Sequence, residues 1–200
     1  MEGSKLKTFL RHIKYRLVLK FKPRKNRVYT QFYRFPNQYK ALVERVLPPY
    51  DAIPSEDSEP LDIVVFACCN GAEVFSLSYV IQTNFPNLKY RIRAFDIVEE
   101  VVDQARTHTY SREQVYAGPF VTEDFVTGLF DVPEDNTYQI KSHISAPVSF
   151  DVGDMLNKQF MKSLGKVDLV FAQNVLFHLP IPNAREAFEN LCTLLKQGST

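Results

Sequence analysis

The chain has 200 residues, of which 45% are hydrophobic and 13% aromatic, a composition that fits one well-packed domain with a small appendage. Lys and Arg number 24 against 23 Asp and Glu, so the chain as a whole is not a polyelectrolyte of the kind that binds nucleic acid by charge alone. Its three cysteines are an odd number and two of them are adjacent, which indicates a reducing compartment. We expect a cytoplasmic location, because charged residues interrupt every apolar stretch near the N-terminus and neither a signal peptide nor a membrane span is readable.

The first 50 residues are predicted to form a basic helical segment. Ten Lys or Arg and a single acid lie in residues 1–28, and apolar residues at helical spacing predict a cationic amphipathic helix over about 4–22. A second helix is predicted over about 36–47, stopped by the prolines at 48 and 49. Residues 51–60 are predicted to be a linker. The basic helix could dock on an acidic or helical partner, make peripheral contact with an anionic membrane, or be solvated.

From residue 61 onward, strands and helices alternate. Residues 61–69 (LDIVVFACC) form an apolar run apart from Asp62, as expected of a strand covered on both faces. The pattern predicts further core strands at 90–97, 147–152 and 167–174, and helices at about 73–84, 99–108 and 183–195. Loops and short helices are predicted over 111–137. Such alternation predicts an α/β fold with a parallel sheet.

Three strand ends carry side chains suited to a nucleotide-like ligand. Ligands of open parallel sheets bind outside the carboxyl ends of the strands. Gly71 follows the first strand, Asp96 ends the second and could accept from ribose hydroxyls, and Gln173 with Asn174 could hydrogen-bond an adenosine. Glu73, in the first turn of the next helix, would repel a pyrophosphate and suits a cationic or zwitterionic ligand such as S-adenosylmethionine (SAM). Ordinary helix capping and solvated acids remain the alternative.

Five segments from about Thr30 to the C-terminus carry recognisable motifs. TQFYRFPNQYKALVERVLP resembles a Thr-x-Phe-Phe-Arg segment with its helix, and ACCNGAEVFSLSYVI a Gly-Glu-Glu-x-Tyr-Ser-type segment after a first strand. RAFDIVEEVVDQARTHTYSREQV is similar to an Ala-x-Asp-Ile strand end, its helix and the following turn. PVSFDVGDML resembles Val-x-Phe-x-x-x-Asn-Leu-Leu. FAQNVLFHLP…LLKQGS resembles Cys-Arg-Asn-Val-Leu-Ile-Tyr-Phe followed by Leu-Leu-Lys-Pro-Gly. In this order the segments resemble the CheR family of chemotaxis-receptor methyltransferases.

The resemblance implies a Rossmann-like class I methyltransferase sandwich over residues 61–200, with SAM as cofactor. It assigns the following roles: Glu73 at the methionine end, Gly71 in the turn beside it, Asp96 at the ribose, Asp154, Asn174 and Val175 around the adenosine, and Thr30 and Arg34 closing over the reactive centre.

The chain also departs from the family pattern. Ala72 stands where the family has the first Glu of its pair, Asp154 where it has Asn, and Val28 where it has an Asn before the Thr. The chain stops at Thr200, after the helix that would precede a fifth strand. The fourth core strand would then be an uncovered edge, which proteins normally avoid. We therefore expect the C-terminal strands to be missing through truncation, and the alternative is that a partner or unusual packing covers this edge.

The expected function is SAM-dependent transfer of a methyl group to a glutamate carboxylate of a chemoreceptor-like protein. A glutamate has a pKa near 4.3 and is already a nucleophile at neutral pH, so no general base is needed. Arg34 is the candidate catalytic residue, because its planar fork can orient the incoming carboxylate. No metal site is predicted, because the four histidines lack ligand spacing. Two alternatives stay open: a methyltransferase of the same fold with another protein or a small molecule as substrate, and a silent cofactor-binding or scaffold protein.

Overall fold

A computed structural model describes residues 30–52, 59–131 and 135–196 of the chain. The basic helix predicted over about 4–22 lies outside the described residues, as does most of the linker predicted over 51–60.

The described chain builds a parallel sheet and a small antiparallel one. The strands are β1 (Leu61–Phe66), β2 (Tyr90–Asp96), β3 (Thr109–Ser111), β4 (Thr137–Gln139), β5 (Val148–Val152) and β6 (Leu169–Phe171). β5, β2, β1 and β6 form the parallel sheet in that spatial order, with β1 paired to β2 from Leu61↔Tyr90 to Phe66↔Phe95. This confirms the predicted α/β fold with a parallel sheet.

Helices cover both faces of this sheet. They are α1 (Pro36–Ala41), a π-helix (Leu42–Val46), α2 (Pro48–Asp51), α3 (Ala72–Asn84), α4 (Glu99–Thr107), α5 (Arg112–Val115), α6 (Glu123–Leu129), α7 (Ser142–Ser145), α8 (Lys158–Ser163), a 3₁₀ turn (Leu176–His178) and α9 (Ile181–Leu194). Every residue of β1 is buried, because Ile63 and Val65 pack into one core cluster while Val64 and Phe66 pack into another. None of the helices in the described ranges is long and apolar enough to cross a membrane.

The segment predicted as one helix over 36–47 has a more complex course. After α1, the amide of Leu47 donates to the carbonyl of Leu42 at 2.9 Å, a wider turn than that of an α-helix. The prediction that the prolines stop the helical segment is wrong, since α2 begins at Pro48. A proline is tolerated in the first turn of a helix, where its missing N–H would have no partner in any case.

The stretch 111–137 contains the predicted short helices, α5 and α6. At its two ends lie two short strands that pair with each other and that the sequence did not indicate. β3 and β4 pair antiparallel from Thr109↔Gln139 to Ser111↔Thr137. Tyr110 of β3 is buried, and its hydroxyl donates to the carbonyl of Asn70 at 2.6 Å. The small sheet therefore braces the loop that follows β1.

β6 is the outer strand of the parallel sheet on one side, as predicted, but its edge is not entirely uncovered. One parallel bridge joins Val167, just before β6, to Leu195. The amide of Lys196 donates to the carbonyl of Val167 at 3.0 Å. Within the described part of the chain, the residues directly after α9 thus pair with the residue that precedes this outer strand.

A buried charge network holds the amino end of the sheet. Asp62 of β1 accepts from Arg91 Nη2 at 2.7 Å and from Arg93 Nη2 at 2.9 Å, both on β2. Burial alone would raise the pKa of the Asp62 carboxyl, but the hydrogen bonds and charges of the two arginines together lower it. This network lies at the edge of the sheet opposite to the carboxyl ends of the strands.

Candidate functional site

Several residues of the turn between β1 and α3 have a left-handed backbone conformation. The last position of this turn accepts only a residue without a side chain. Gly71 has φ of 86°, and Ala67 and Cys69 have φ of 56° and 53°. A Cβ on Gly71 would come within 2.9 Å of Phe150 Cζ and 3.2 Å of Ala105 Cβ. Glycine is therefore required here by its backbone conformation and by the close approach of two neighbouring side chains.

Asp96 ties this turn to the end of β2. Its Oδ2 accepts from the amide of Cys69 at 2.9 Å, and its Oδ1 accepts from the amide of Val98 at 3.1 Å. The amide of Gly153 donates to the carbonyl of Asp96 at 2.9 Å, which places Asp154 beside it. The structure thus brings the turn before α3, Asp96 and Asp154 together at the carboxyl edge of the sheet. Asp154 also accepts the amide of Leu156 at 2.8 Å.

A second group of residues meets where the strand order reverses. The chain runs from β1 outward to β2 and β5 and then returns to the other side of β1 as β6. A small pocket of about 10 Å³ lies at this point, with room for about one water-sized group. Its walls are mostly apolar, and its lining comprises Val65, Phe66, Leu77, Phe171, Tyr39, Glu73 and Gln173.

Glu73 is the acidic group of this pocket. Its Oε1 is buried without a hydrogen-bond partner. Burial raises the pKa of the Glu73 carboxyl to about 7, while the positive charge of Arg34 acts to lower it. The Tyr39 hydroxyl donates weakly to the carbonyl of Glu73 at 3.4 Å. Because an isolated buried carboxylate is costly, this site favours a cationic neighbour.

The segment that precedes α1 is held over the start of α3. The amide of Tyr33 donates to Ser76 Oγ at 2.9 Å. The Tyr33 ring stacks on that of Tyr39 with centroids 5.1 Å apart. The Arg34 guanidinium lies 5.1 Å from the centroid of the Phe35 ring and is close enough to Glu73 to influence its ionisation. Two of the predicted site residues, Arg34 and Glu73, therefore interact electrostatically although they are 39 positions apart in the chain.

Unpaired polar atoms concentrate in the predicted site. Within the described ranges, the buried side-chain atoms without a hydrogen-bond partner are Thr30 Oγ1, Glu73 Oε1, Gln173 Oε1 and Asn174 Nδ2. Native proteins pair nearly all buried polar groups, so a set of orphans indicates a missing ligand or solvent. Thr30, Glu73 and Asn174 are three of the residues that the family resemblance assigned to the cofactor.

The sequence did not indicate several residues of this site. Gln173, which is predicted to hydrogen-bond an adenosine, lines the same pocket as Glu73. Asn174, with φ of 53°, turns the chain left-handed directly after it, and Val175 precedes the 3₁₀ turn. Tyr39 lies in the helix predicted over about 36–47, and nothing in that local pattern indicates that its hydroxyl reaches the carbonyl of Glu73. Tyr110 lay in a stretch without a recognised strand.

Known proteins resemble this chain in sequence and in fold. The model of the family "CheR methyltransferase, SAM binding domain" matches residues 28–200. Chemotaxis protein methyltransferase 2 of Vibrio cholerae is 26% identical over 172 residues, which are 84% of this chain and 58% of that protein. Chemotaxis protein methyltransferase 1 of Pseudomonas aeruginosa is 28% identical over 175 residues, 84% of this chain and 62% of that protein. The chain thus spans about three fifths of the length of these curated relatives.

A solved structure shares the fold. The rRNA methyltransferase aviRa of Streptomyces viridochromogenes superposes with a TM-score of 0.50 at 12% identity, over 88% of this chain and 74% of that one. The strand order, the site at the switch point and this likeness define a class I, Rossmann-like methyltransferase fold. Within that class, the chain belongs to the CheR methyltransferase family, over its SAM-binding domain.

SAM is accordingly the cofactor of this domain, and the site suits it in three respects. Glu73 supplies a buried acceptor for positive charge. Each carboxylate oxygen of Asp96 accepts one backbone hydrogen bond and has a further lone pair for a hydroxyl donor. Ile97 and Val152 are exposed at this edge, by 66% and 43%, and offer apolar surface to a planar base.

Proposed function

We propose that this chain is a SAM-dependent O-methyltransferase that transfers a methyl group to a glutamate carboxylate of a chemoreceptor-like protein. The observation that carries the proposal is the coincidence of the orphaned polar atoms, on Thr30, Glu73, Gln173 and Asn174, with the segments that resemble the family's cofactor motifs. When bound, SAM supplies a methyl group on a sulfonium sulfur, which becomes a neutral thioether on transfer.

The residues divide the binding of the cofactor between two groups. Glu73 binds the cationic methionine end, since its buried carboxylate gains most from a positive partner. Asp96 accepts from the ribose hydroxyls beside the turn that it braces. The exposed apolar side chains of Ile97 and Val152 border the adenine. Asp154 and Asn174 are the proposed polar contacts of the adenosine. Thr30 and Val175 complete the set of proposed cofactor contacts.

Arg34 is proposed to orient the substrate. Its positive charge acts on the Glu73 carboxyl, which makes it a candidate to act at the methionine end of the cofactor. A glutamate side chain arrives as a carboxylate at neutral pH, so no proton has to be removed. The guanidinium fork can hold that carboxylate by two hydrogen bonds. The contribution is one of alignment, an effect that can lower a barrier by as much as about 7–11 kcal/mol.

The proposed partner is an acidic or helical protein, as the basic N-terminal segment and the names of the relatives suggest. A cytoplasmic location follows as part of the same proposal.

Two measurements test the proposal. Isothermal titration with S-adenosylhomocysteine should give saturable binding to the wild type and much weaker binding to Glu73→Ala, with Glu100→Ala, an exposed acid on α4, as control. A labelled-methyl assay with the cytoplasmic fragment of a chemoreceptor should then yield label that alkali releases as methanol, the behaviour of a methyl ester. Alkali-stable label would indicate another substrate group. Cofactor binding without transfer to any receptor fragment would favour a scaffold over an enzyme.

A further inference from the structure

The pocket at the switch point contains an acceptor that the proposed cofactor contacts leave unused. Gln173 Oε1 is buried, has no hydrogen-bond partner, and belongs to a side chain that lines the same pocket as Glu73. The family motif that this segment resembles has Arg at the position of Gln173, so the feature is one of this chain. An unpaired buried amide oxygen is costly, which makes a donor from a ligand the natural partner.

The size and chemistry of the pocket limit what that donor can be. About 10 Å³ is room for a small group of about the size of a water molecule. The two orphaned atoms, Glu73 Oε1 and Gln173 Oε1, are both acceptors, and one of them carries negative charge when ionised. A primary ammonium matches this arrangement, because it is of that size, is cationic, and has three donors and no acceptor.

We infer that Gln173, together with Glu73, forms a subsite that selects the α-ammonium group of the cofactor. Gln173 is a specificity residue for the amino end of the ligand and not a contact of the adenosine. The inference rests on the proposed function to the extent that the cofactor is SAM. A ligand that keeps the nucleoside and sulfur but lacks the amino group should lose the contribution of Gln173.

The test is a double-mutant cycle in which one change is made in the protein and the other in the ligand. The protein change is Gln173→Met, which keeps the length of the side chain and removes both polar atoms. The ligand pair is S-adenosylhomocysteine and its deamino analogue, measured by isothermal titration. The deamino analogue should bind the wild type more weakly, and the ratio of the two affinities should shrink by about 10–100-fold in Gln173→Met, as expected for one hydrogen bond to a charged group.

Two further variants sharpen the result. Gln173→Glu retains an acceptor and should preserve the ratio, whereas Gln159→Met, at an exposed glutamine on α8, should leave both affinities as in the wild type. In the inferred subsite the bound ammonium lies between the two carboxylates of Gln173→Glu and offsets their repulsion. If Gln173 instead donated to Glu73 and did not contact the ligand, the two carboxylates would repel each other with no ammonium between them, and the preference for the amino group would be lost. That result would overturn the inference even if Gln173→Met proved too unstable to measure.

The outcomes separate this inference from the proposed function. Equal weakening of both ligands by Gln173→Met would show a structural role only and would refute the ammonium subsite while leaving cofactor binding intact. Failure of the wild type to bind S-adenosylhomocysteine at all would refute the proposed function, and the subsite with it.

Discussion

The raised pKa of Glu73 predicts that cofactor affinity depends on pH in the physiological range. The carboxyl has a pKa of about 7 in the folded chain, because burial disfavours its charged form more than Arg34 favours it. A cationic ligand needs the ionised form. About one tenth of the protein is ionised at Glu73 one pH unit below this value and about nine tenths one unit above it. Affinity for S-adenosylhomocysteine should therefore rise roughly tenfold from pH 6 to pH 8.

Isothermal titration measures this dependence and the protons that accompany it. Binding at pH 7 should release about half a proton, which is read from titrations in buffers of different ionisation enthalpy. Glu73→Gln should bind weakly with no pH dependence in this range, and Glu100→Gln should behave as the wild type. A wild-type affinity that stays flat from pH 6 to pH 8, or a Glu73→Gln variant with the same pH profile, would refute the assignment of Glu73 to the cationic group.

The same group makes the unliganded fold less stable as pH rises. The folded-state pKa lies above the value of 4.5 for a free carboxyl. Between these two values Glu73 binds more protons in the native state than in the unfolded state, so its contribution to stability is greatest below pH 4.5 and declines until the pH passes 7. The full effect is about 3 kcal/mol. Urea denaturation should show this loss in the wild type and not in Glu73→Gln, and parallel pH profiles of the two proteins would contradict the reasoning.

Three further substitutions separate the roles of the charged residues. Arg34→Ala should lower methyl transfer far more than cofactor affinity, and transfer at the wild-type rate would disprove the role of Arg34. The same substitution should move the midpoint of the pH dependence upward, because it removes a positive charge that acts on Glu73. Asp96→Ala should weaken S-adenosylhomocysteine binding by about one to two orders of magnitude, and unchanged affinity would remove Asp96 from the site. It should also lower the melting temperature, because the amide of Cys69 loses its acceptor. Asp62→Ala should destabilise the fold by about 1.5–3 kcal/mol in urea denaturation, because Arg93 loses its carboxylate partner and keeps only the carbonyl of Leu164 as an acceptor. The affinity of the remaining folded protein should be unchanged, and a comparable loss of affinity would show that the two edges of the sheet are coupled.

The order of the elements and one edge of the site follow from local sequence. The apolar run of β1, interrupted only by Asp62, predicts a strand buried on both faces, and all six of its residues are buried. Since parallel strands present their carboxyl ends on one side, a sequence that places Gly71 and Asp96 after consecutive strands also predicts that they meet. The hydrogen bond from the amide of Cys69 to Asp96 shows that they do. Hydrophobic periodicity and the residues at strand ends can be recognised from neighbouring positions alone, so predictions based on them do not depend on contacts between distant parts of the chain.

What only the tertiary structure decided depends on contacts between distant parts of the chain. β3 and β4 are three residues each and lie far apart in sequence, so neither has a hydrophobic pattern of its own, and their pairing supplies the buried Tyr110 that holds the β1 loop. The pKa of Glu73 is set by burial under the segment before α1 and by the charge of Arg34, neither of which is visible at position 73. Gln173 and Asn174 are neighbours in the chain, and only the left-handed backbone at Asn174 and the position of β6 beside β1 direct Gln173 to the pocket of Glu73. Side-chain direction and desolvation are consequences of packing, which is why the sequence indicated the edge of the site but not its inner pocket.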